Sequence, residues 1–197
     1  GIVWPGLDAQ ETPPVDTSVW ALQTADGRRY ARVNTAVREL DTVRAVSNPN
    51  DVVQSGDRAY IFSDSYSKVT PVDPVLPADL GEDVLRSSPT TPQGTVEVAT
   101  AGDFVAYVTD SGAVYVGRLS TGEPKELEPY PSDDEDAPQY TSDAIAVDER
   151  GRLYSYSSAD GAVLRYDIPA SEVRGRDELD VDGLTEPMIS AAGNRWV

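Results

Sequence analysis

The hydrophobic and polar positions alternate in short runs, and one type of run recurs along the chain. Each copy has an apolar residue four positions before a glycine and an aromatic residue within the next five positions. The four glycines are Gly56, Gly102, Gly151 and Gly193. Alternation on both sides of a tight turn predicts a β-hairpin. The chain is therefore predicted to repeat one hairpin, at intervals of 46, 49 and 42 residues.

A second turn follows each complete hairpin and leads into another β-rich run. It contains Asp64-Ser65 in the first copy, Asp110-Ser111-Gly112 in the second and Asp160-Gly161 in the third. The segment from Val19 to Val33 has the same second half, without a glycine hairpin before it. The sequence is thus expected to enter the repeat part-way and to stop inside the second strand of its last copy.

Units of this length, with short strands and two turns each, predict an all-β fold and specifically a β-propeller. About four blades are visible, which is few for a closed ring, so the prediction is part of a larger ring. An immunoglobulin-like sandwich is the alternative, but it has no reason to repeat one hairpin signature. Little helix is expected, because only residues 35–44 show helical spacing and they fit an outer strand equally well. Residues 1–17 are predicted to be a linker and residues 18–197 the blades, the last one incomplete.

The charge and composition of the chain exclude several classes of function. There are 16 Lys and Arg against 34 Asp and Glu, for a net charge of −18. Such a surface repels phosphate backbones, so nucleic acid is not an expected partner.

Because the chain has no His and no Cys, it cannot form a Ser-His-Asp triad, an imidazole or thiolate zinc site or a disulfide. No cofactor is predicted.

Three acidic residues are predicted near the starts of innermost strands in consecutive blades. They are Asp51, Glu97 and Asp143. Two such carboxylates facing the centre of a propeller would suit a glycoside hydrolase. Aspartate is also a common turn former, and in a chain this acidic the coincidence carries little weight. The prediction is therefore that the protein is not an enzyme, with a carbohydrate-active hydrolase as the alternative.

An acidic run offers a candidate calcium site at Asp133, Asp134 and Asp136. Calcium prefers several carboxylate oxygens. The run lacks the alternating ligands and the turn glycine of a calcium loop, so a solvated charged loop is favoured.

Two further patterns are assigned structural roles. The aromatic residues of the repeat, which would otherwise suggest a ligand-stacking ladder, are predicted to pack between blade faces; they are Tyr60, Tyr107, Tyr154 and Trp196. The segment Ser65-Tyr66-Ser67-Lys68 matches S-x-x-K, an acyl-enzyme signature that requires a helical turn. Here the motif falls in a predicted hairpin turn, so no chemistry is predicted for it.

The stretch from Ser18 to Val43 carries a more specific signal. Its opening Ser18-Val19-Trp20, followed by the run from Ala31 to Val43, resembles the start of the propeller region of large actinobacterial membrane-anchored surface proteins with fibronectin type III or immunoglobulin-like repeats. The resemblance implies that residues 1–6 end a membrane anchor and that the propeller lies outside the membrane. It supplies no catalytic residues. The sequence departs from the family in showing neither the anchor nor the repeats.

Together these observations predict a non-enzymatic, extracytoplasmic propeller module of a cell-surface protein, single-pass anchored through a segment outside the sequence. Adhesion, envelope organisation and protein–protein assembly are the expected roles. Other surface proteins or envelope components are the expected partners. Self-assembly through exposed strand edges is a further hypothesis.

Overall fold

The computed structural model describes residues 18–130, 138–179, 187–192 and 195–196. Its strands form successive antiparallel sheets, here called blades 1 to 5 in chain order. Blade 1 contains β1 (Ser18–Gln23), β2 (Arg29–Asn34) and β3 (Glu39–Ala45), and blade 2 contains β4 (Pro49–Ser55), β5 (Arg58–Ser63) and β6 (Lys68–Val72). Blade 3 contains β7 (Thr95–Ala101), β8 (Phe104–Thr109), β9 (Val114–Arg118) and β10 (Lys125–Glu126). Blade 4 contains β11 (Ala144–Val147), β12 (Arg152–Ser157), β13 (Ala162–Asp167) and β14 (Glu172–Glu178), and blade 5 contains β15 (Ala191–Ala192) and β16 (Arg195–Trp196).

The repeated glycine lies between the first and second strands of its blade. Gly56, Gly102 and Gly151 have φ angles of +63°, +55° and +79°, a region that glycine enters at little cost. Each of the three hairpins is an antiparallel pair: β4 with β5, β7 with β8 and β11 with β12. Gly193 lies outside the described residues, although the strands on either side of it pair with each other.

Blade 1 reproduces the second, third and fourth strands of blade 4. Its β1–β2 turn contains Asp26-Gly27, and the β12–β13 turn of blade 4 contains Asp160-Gly161. Strand β1 therefore corresponds to β12, a second strand, and not to the innermost strand β11. Among the described residues, blade 1 has no strand that corresponds to β11.

Apolar side chains hold neighbouring blades face to face. One cluster, with Trp20 and Ile61, joins blades 1 and 2, and a second, with Phe62 and Tyr107, joins blades 2 and 3. A third, with Val108 and Leu153, joins blades 3 and 4. Antiparallel sheets of up to four strands, stacked in chain order, are the architecture of a β-propeller, as the sequence predicts.

Two aromatic residues of the repeat, Tyr107 and Tyr154, pack between blades, as predicted. Tyr60, Tyr107 and Tyr154 are at most 4% exposed. They are not all equivalent, however, because Tyr107 lies two residues before the end of β8, whereas Tyr60 and Tyr154 lie three residues before the ends of their strands. One step along a strand turns a side chain to the other face, so Tyr107 packs toward blade 2. The side chain of Trp196 is outside the described part of the chain.

The structure shows which element the 35–44 segment forms, and it contains a helix that the sequence pattern does not predict. Residues 39–45 form β3, so the strand interpretation of the 35–44 segment is the correct one. A short helix, α1 (Glu82–Ser87), lies in the long connection between β6 and β7, with Leu85 buried. Six residues are too few to reveal a helical period, which is why the sequence pattern misses it.

In the described ranges, no helix is both long and apolar enough to cross a bilayer. The six residues assigned to the trailing edge of an anchor, 1–6, lie outside those ranges.

Candidate functional site

The three predicted acidic residues each bind a different backbone N–H. Asp51, in β4, accepts a hydrogen bond from the neighbouring Val52 N–H at 2.7 Å. Asp143, directly before β11, accepts one from the Ser158 N–H at 2.7 Å in the β12–β13 turn. No hydrogen bond joins any two of the three carboxylates within the described residues. The structure places Asp51 and Glu97 in the innermost strands of blades 2 and 3, and Asp143 directly before the innermost strand of blade 4.

Glu97 links two blades. It is half-buried in β7, and its Oε1 accepts a hydrogen bond from the Ile145 N–H in β11 at 3.4 Å. Burial raises the pKa of the Glu97 carboxyl, and the Ile145 N–H partly opposes that rise because it favours the charged form. A raised carboxyl pKa is what a general acid needs, but here the group also completes the bonding of the next blade's innermost strand.

Replacing Glu97 by glutamine is expected to stabilise the protein at neutral pH and to change its stability little in acid. Since the folded state raises the carboxyl pKa, it binds the proton more tightly than the unfolded chain does. Wild-type stability therefore falls as pH rises from the ordinary glutamate pKa, about 4.3, through the raised value, and the glutamine variant lacks that fall. Urea unfolding about one pH unit below and about three units above the ordinary pKa measures the difference.

Glu149→Gln is the control for this comparison, because Glu149 is exposed in the β11–β12 turn and its replacement also removes one negative charge. A Glu97→Gln protein that is less stable than wild type at both pH values would contradict the assignment.

The calcium candidate stays a prediction, because Asp133, Asp134 and Asp136 lie outside the described residues. In the part of the chain that is described, no three acidic side chains gather as metal ligands.

The β5–β6 turn of blade 2 differs from the corresponding turns of the other blades. Blades 1, 3 and 4 use a glycine with positive φ at this place: Gly27, Gly112 and Gly161. Blade 2 has no glycine there, and Asp64, Ser65 and Tyr66 adopt φ angles of +52°, +56° and +62° instead. A left-handed conformation costs an ordinary residue about 1–2 kcal/mol. The turn is therefore strained at three consecutive positions.

Hydrogen bonds from two neighbouring loops hold this turn in place. Asn48 Nδ2 donates to Asp64 Oδ1 at 3.0 Å, and the Tyr66 N–H donates to Asn50 Oδ1 at 3.1 Å. On the other side, Thr91 Oγ1 donates to the Tyr66 carbonyl at 2.6 Å. Asn48 and the start of β4 on one side, and the connection before β7 on the other, thus clamp the turn between them.

A buried hydroxyl beneath the turn has no hydrogen-bond partner in the described part of the chain. The residue that ends the second strand is Ser63 in blade 2, Thr109 in blade 3 and Ser157 in blade 4. Thr109 and Ser157 accept a hydrogen bond from a turn N–H, that of Ala113 at 3.1 Å and that of Asp160 at 3.3 Å. Ser63 Oγ is fully buried and makes no hydrogen bond to any residue that the structure describes. An unsatisfied buried polar group costs about 1–3 kcal/mol, which adds to the strain of the turn.

The turn stands as a ridge between two open concavities. One, of about 460 Å³, is lined by Thr24, Arg28 and residues 48–50 together with the turn. The other, of about 590 Å³, is lined by the turn and residues 90–95. We call this surface, formed by Thr24, Arg28, residues 48–50, 64–67 and 90–95, the ridge face. Five of the seven non-glycine residues with positive φ in the described chain belong to it; they are Arg28, Asn48, Asp64, Ser65 and Tyr66.

The ridge face has a mainly polar, uncharged surface, and the S-x-x-K segment in it is not helical. Its side chains are mostly neutral hydrogen-bonding groups of Ser, Thr, Asn and Gln. Lys68, the lysine of the S-x-x-K segment, donates through Nζ to the Ser88 carbonyl at 3.3 Å and lies in β6, outside any helical turn. The sequence does contain a signal for this site. Of the corresponding turns in blades 1 to 4, only the β5–β6 turn lacks a glycine. A search for features that all copies share does not detect a missing residue.

Replacing Ser65 by glycine is expected to raise the free energy of unfolding by about 0.5–1 kcal/mol. Glycine adopts the left-handed conformation without the Cβ penalty, and its greater freedom in the unfolded chain offsets part of the gain. Thermal or urea unfolding of the variant measures the change. The matched control is Ala159→Gly, because Ala159 lies in the corresponding turn of blade 4 and does not have a positive φ. This substitution should lower the free energy of unfolding by about 0.5–1 kcal/mol. Equal destabilisation by both substitutions would show that Ser65 is not strained.

Comparison with known proteins establishes the fold and no closer kinship. No family model matches the sequence, and no curated protein is similar to it. Among solved structures, Kluyveromyces lactis Hsv2 superposes with a TM-score of 0.57 at 10% identity, over 87% of this chain and 50% of that one. The β-propeller domain of Myceliophteria thermophila Cps50 (Swd1) gives 0.54 at 10% identity, over 88% and 54%. Virginiamycin B lyase from Staphylococcus aureus gives 0.50 at 12% identity, over 91% and 58%.

This chain therefore has a β-propeller fold and spans about half the length of the solved structures that it matches.

Proposed function

We propose that this chain is a non-enzymatic, protein-binding propeller module and that it binds its partner on the ridge face. The observation that carries the proposal is the β5–β6 turn. Three consecutive non-glycine residues keep a left-handed conformation there, above a buried hydroxyl that no described residue hydrogen-bonds. Strain of this kind persists where the surrounding structure enforces it, and it clusters at functional sites.

The shape and chemistry of the ridge face favour a protein over a small molecule. Both concavities are open, and the turn projects between them, so a ligand must present a surface that fits a ridge rather than fill a closed pocket. The polar side chains along the face can satisfy backbone and side-chain groups of a partner. The net charge of −18 favours a neutral or basic partner over an acidic one.

Site-specific photo-crosslinking tests this proposal. A photoreactive phenylalanine derivative replaces Ser65 in one protein and Ser171 in the control, since both serines are exposed and have similar φ angles, +56° and +54°. Ser171 ends the β13–β14 turn, and because strands alternate in direction that turn lies at the opposite edge of its blade from the ridge. The probe is a detergent extract of the envelope of the source cells.

The expected result is a crosslinked protein of defined mass at position 65 but not at position 171. It should disappear with excess wild-type chain and weaken in an Asn50→Ala background, which removes the Tyr66 N–H acceptor. Crosslinks of equal yield at both positions, or none at position 65, would overturn the proposal.

We further propose that the module belongs to a surface protein and lies outside the cytoplasmic membrane. The resemblance of the stretch from Ser18 to Val43 to the propeller region of anchored actinobacterial surface proteins supports this placement. Intact mass and peptide mapping of the native protein from membrane and soluble fractions test it. A mass far above 21.2 kDa in the membrane fraction is expected, and a mass near 21.2 kDa in the soluble fraction would contradict it.

One observation favours the hydrolase alternative, namely the raised pKa of Glu97. A panel of chromogenic glycosides assayed with wild type, Glu97→Gln and the double variant Asp51→Asn/Asp143→Asn decides between the two functions. Turnover that is lost in these variants would establish the hydrolase.

A further inference from the structure

The β5–β6 turn of blade 2 and the β12–β13 turn of blade 4 have the same length but opposite hand. Each has four residues between the strands that it joins. In blade 4 only the fourth residue, Gly161, has a positive φ, and residues 158–160 do not. In blade 2 the pattern is reversed, because residues 64–66 have positive φ and Ser67 does not. We call the conformation in blade 2 left-handed and the one in blade 4 right-handed.

One backbone N–H has a different acceptor in the two turns. It belongs to the third residue of the turn, Asp160 in blade 4 and Tyr66 in blade 2. The Asp160 N–H donates to Ser157 Oγ at 3.3 Å, whereas the Tyr66 N–H donates to the side chain of another strand, Asn50 Oδ1, at 3.1 Å. Ser63, which corresponds to Ser157, keeps a buried Oγ that no described residue hydrogen-bonds. Blade 2 therefore contains the acceptor of the right-handed turn but does not use it.

The left-handed turn depends on its neighbours rather than on its own backbone. It places three non-glycine residues at positive φ and leaves Ser63 Oγ unbonded, and both features are unfavourable. The right-handed turn would place only Ser67 at positive φ and would give Ser63 Oγ a donor. It would lose the hydrogen bond from Tyr66 to Asn50. Each conformation thus has costs that the other one avoids.

We propose that the β5–β6 turn exchanges between these two conformations, that the Tyr66 N–H moves between Asn50 Oδ1 and Ser63 Oγ, and that the partner binds only the left-handed turn. This inference rests on the proposed function, because it describes how the ridge face is regulated. The concavities beside the turn exist with the turn left-handed, so a partner that fits them favours that state. The apparent affinity then falls with the fraction of right-handed turn.

Two serine-to-glycine substitutions, two positions apart, shift the exchange in opposite directions in the full chain. Ser65 has a positive φ in the left-handed turn, whereas Ser67 would have one in the right-handed turn. Because glycine removes the cost of a positive φ, Ser65→Gly should shift the ratio of the two states about tenfold toward the left-handed one. Ser67→Gly should shift it about tenfold the other way. Both serines are exposed, so each substitution is the matched control of the other.

NMR measures the ratio of the two states at Tyr66. A positive φ brings the amide and α protons of a residue closer together, so the NOE between them is stronger in the left-handed turn. We expect a strong NOE in wild type and in Ser65→Gly. The double variant Asn50→Ala/Ser67→Gly also removes the acceptor of the left-handed turn, so the ratio should shift about a hundredfold and the NOE should weaken. An NOE as strong in the double variant as in wild type would overturn the proposal.

Ser63→Ala distinguishes exchange from a turn that is merely strained. It removes the acceptor of the right-handed turn and also the unbonded hydroxyl of the left-handed one. The urea midpoint should therefore rise, and the weakened NOE of Asn50→Ala/Ser67→Gly should recover when Ser63→Ala is added. Ser157→Ala is the matched control, since its hydroxyl accepts the Asp160 N–H and its loss should lower the midpoint. A lower midpoint in both single variants would overturn the proposal.

Competition for the crosslink at position 65 measures the effect on binding. Unlabelled Asn50→Ala/Ser67→Gly should need about tenfold more protein than unlabelled Ser65→Gly to halve the crosslink, since only its left-handed fraction binds. Adding Ser63→Ala should restore competition, and because Ser63 is fully buried this rescue cannot come from a contact with the partner. Equal competition by all variants would overturn selection of the left-handed turn. Absence of the crosslink would instead overturn the proposed function, while the NMR result stands without any partner.

Discussion

Replacing Gly151 by alanine is expected to destabilise the protein by about 2–5 kcal/mol. Two causes add. Gly151 has a φ of +79°, which costs an alanine about 1–2 kcal/mol. An added Cβ would also lie 2.7 Å from Cε1 of the Phe104 ring and 2.8 Å from Cδ1, and overpacking of that kind costs about 1–3 kcal/mol. The β11–β12 hairpin of blade 4 therefore meets blade 3 at a place where only glycine fits.

Gly102→Ala is the matched control for this substitution. Gly102 occupies the same place in the hairpin of blade 3 and has a φ of +55°, but an added Cβ would meet no atom within 4 Å. Replacing Gly102 by alanine should lower the free energy of unfolding only by the cost of the positive φ, about 1–2 kcal/mol. Urea unfolding of the two variants measures the difference. Equal losses of stability in Gly151→Ala and Gly102→Ala would mean that Phe104 does not pack over Gly151.

Truncating Phe62 to alanine is expected to cost about 3–5 kcal/mol, the range found for large aromatic side chains in protein cores. Phe62 is 0% exposed and lies in the cluster that joins blades 2 and 3. Its ring meets Tyr107 edge-on at 6.5 Å between centroids and Tyr66 at 6.0 Å. The substitution removes the contact between two blades and also the support beneath the strained turn.

Denaturant unfolding followed by circular dichroism measures this loss. Val96→Ala, in the neighbouring strand β7, is the control, since Val96 is 61% exposed and its truncation should change stability by no more than about 0.5 kcal/mol. If Phe62→Ala cost under about 1 kcal/mol, the assignment of this cluster to the interface between blades 2 and 3 would be wrong.

The sequence predicts the hairpins because their cause is local. A glycine is needed wherever φ is positive, and alternation fixes which side chains face the next blade. Gly56, Gly102 and Gly151 therefore mark the hairpins without any knowledge of the fold. The same pattern also predicts that Tyr107 packs between blades, but not toward which blade, because a displacement of one residue relative to the end of the strand reverses the face on which the side chain lies.

The candidate site could not be predicted in the same way. The strain of Ser65 and Tyr66 depends on Asn50 and Thr91, which are 16 and 25 residues from Tyr66. The contact from Glu97 to Ile145 spans 48 residues. The charge of Glu97 and its place in the repeat are visible in the sequence, whereas its bond to the next blade depends on how two blades pack. No spacing rule encodes such contacts.

The order in which the blades pack has a consequence for how the chain gains its structure. The extensive contacts between blades join neighbours in chain order, as β1 with β4 and β7 with β11. Each hairpin also closes over only a few residues. Such a molecule behaves as a one-dimensional array, in which cooperativity passes from one unit to the next. Folding can therefore start at any hairpin and spread to the neighbouring blades.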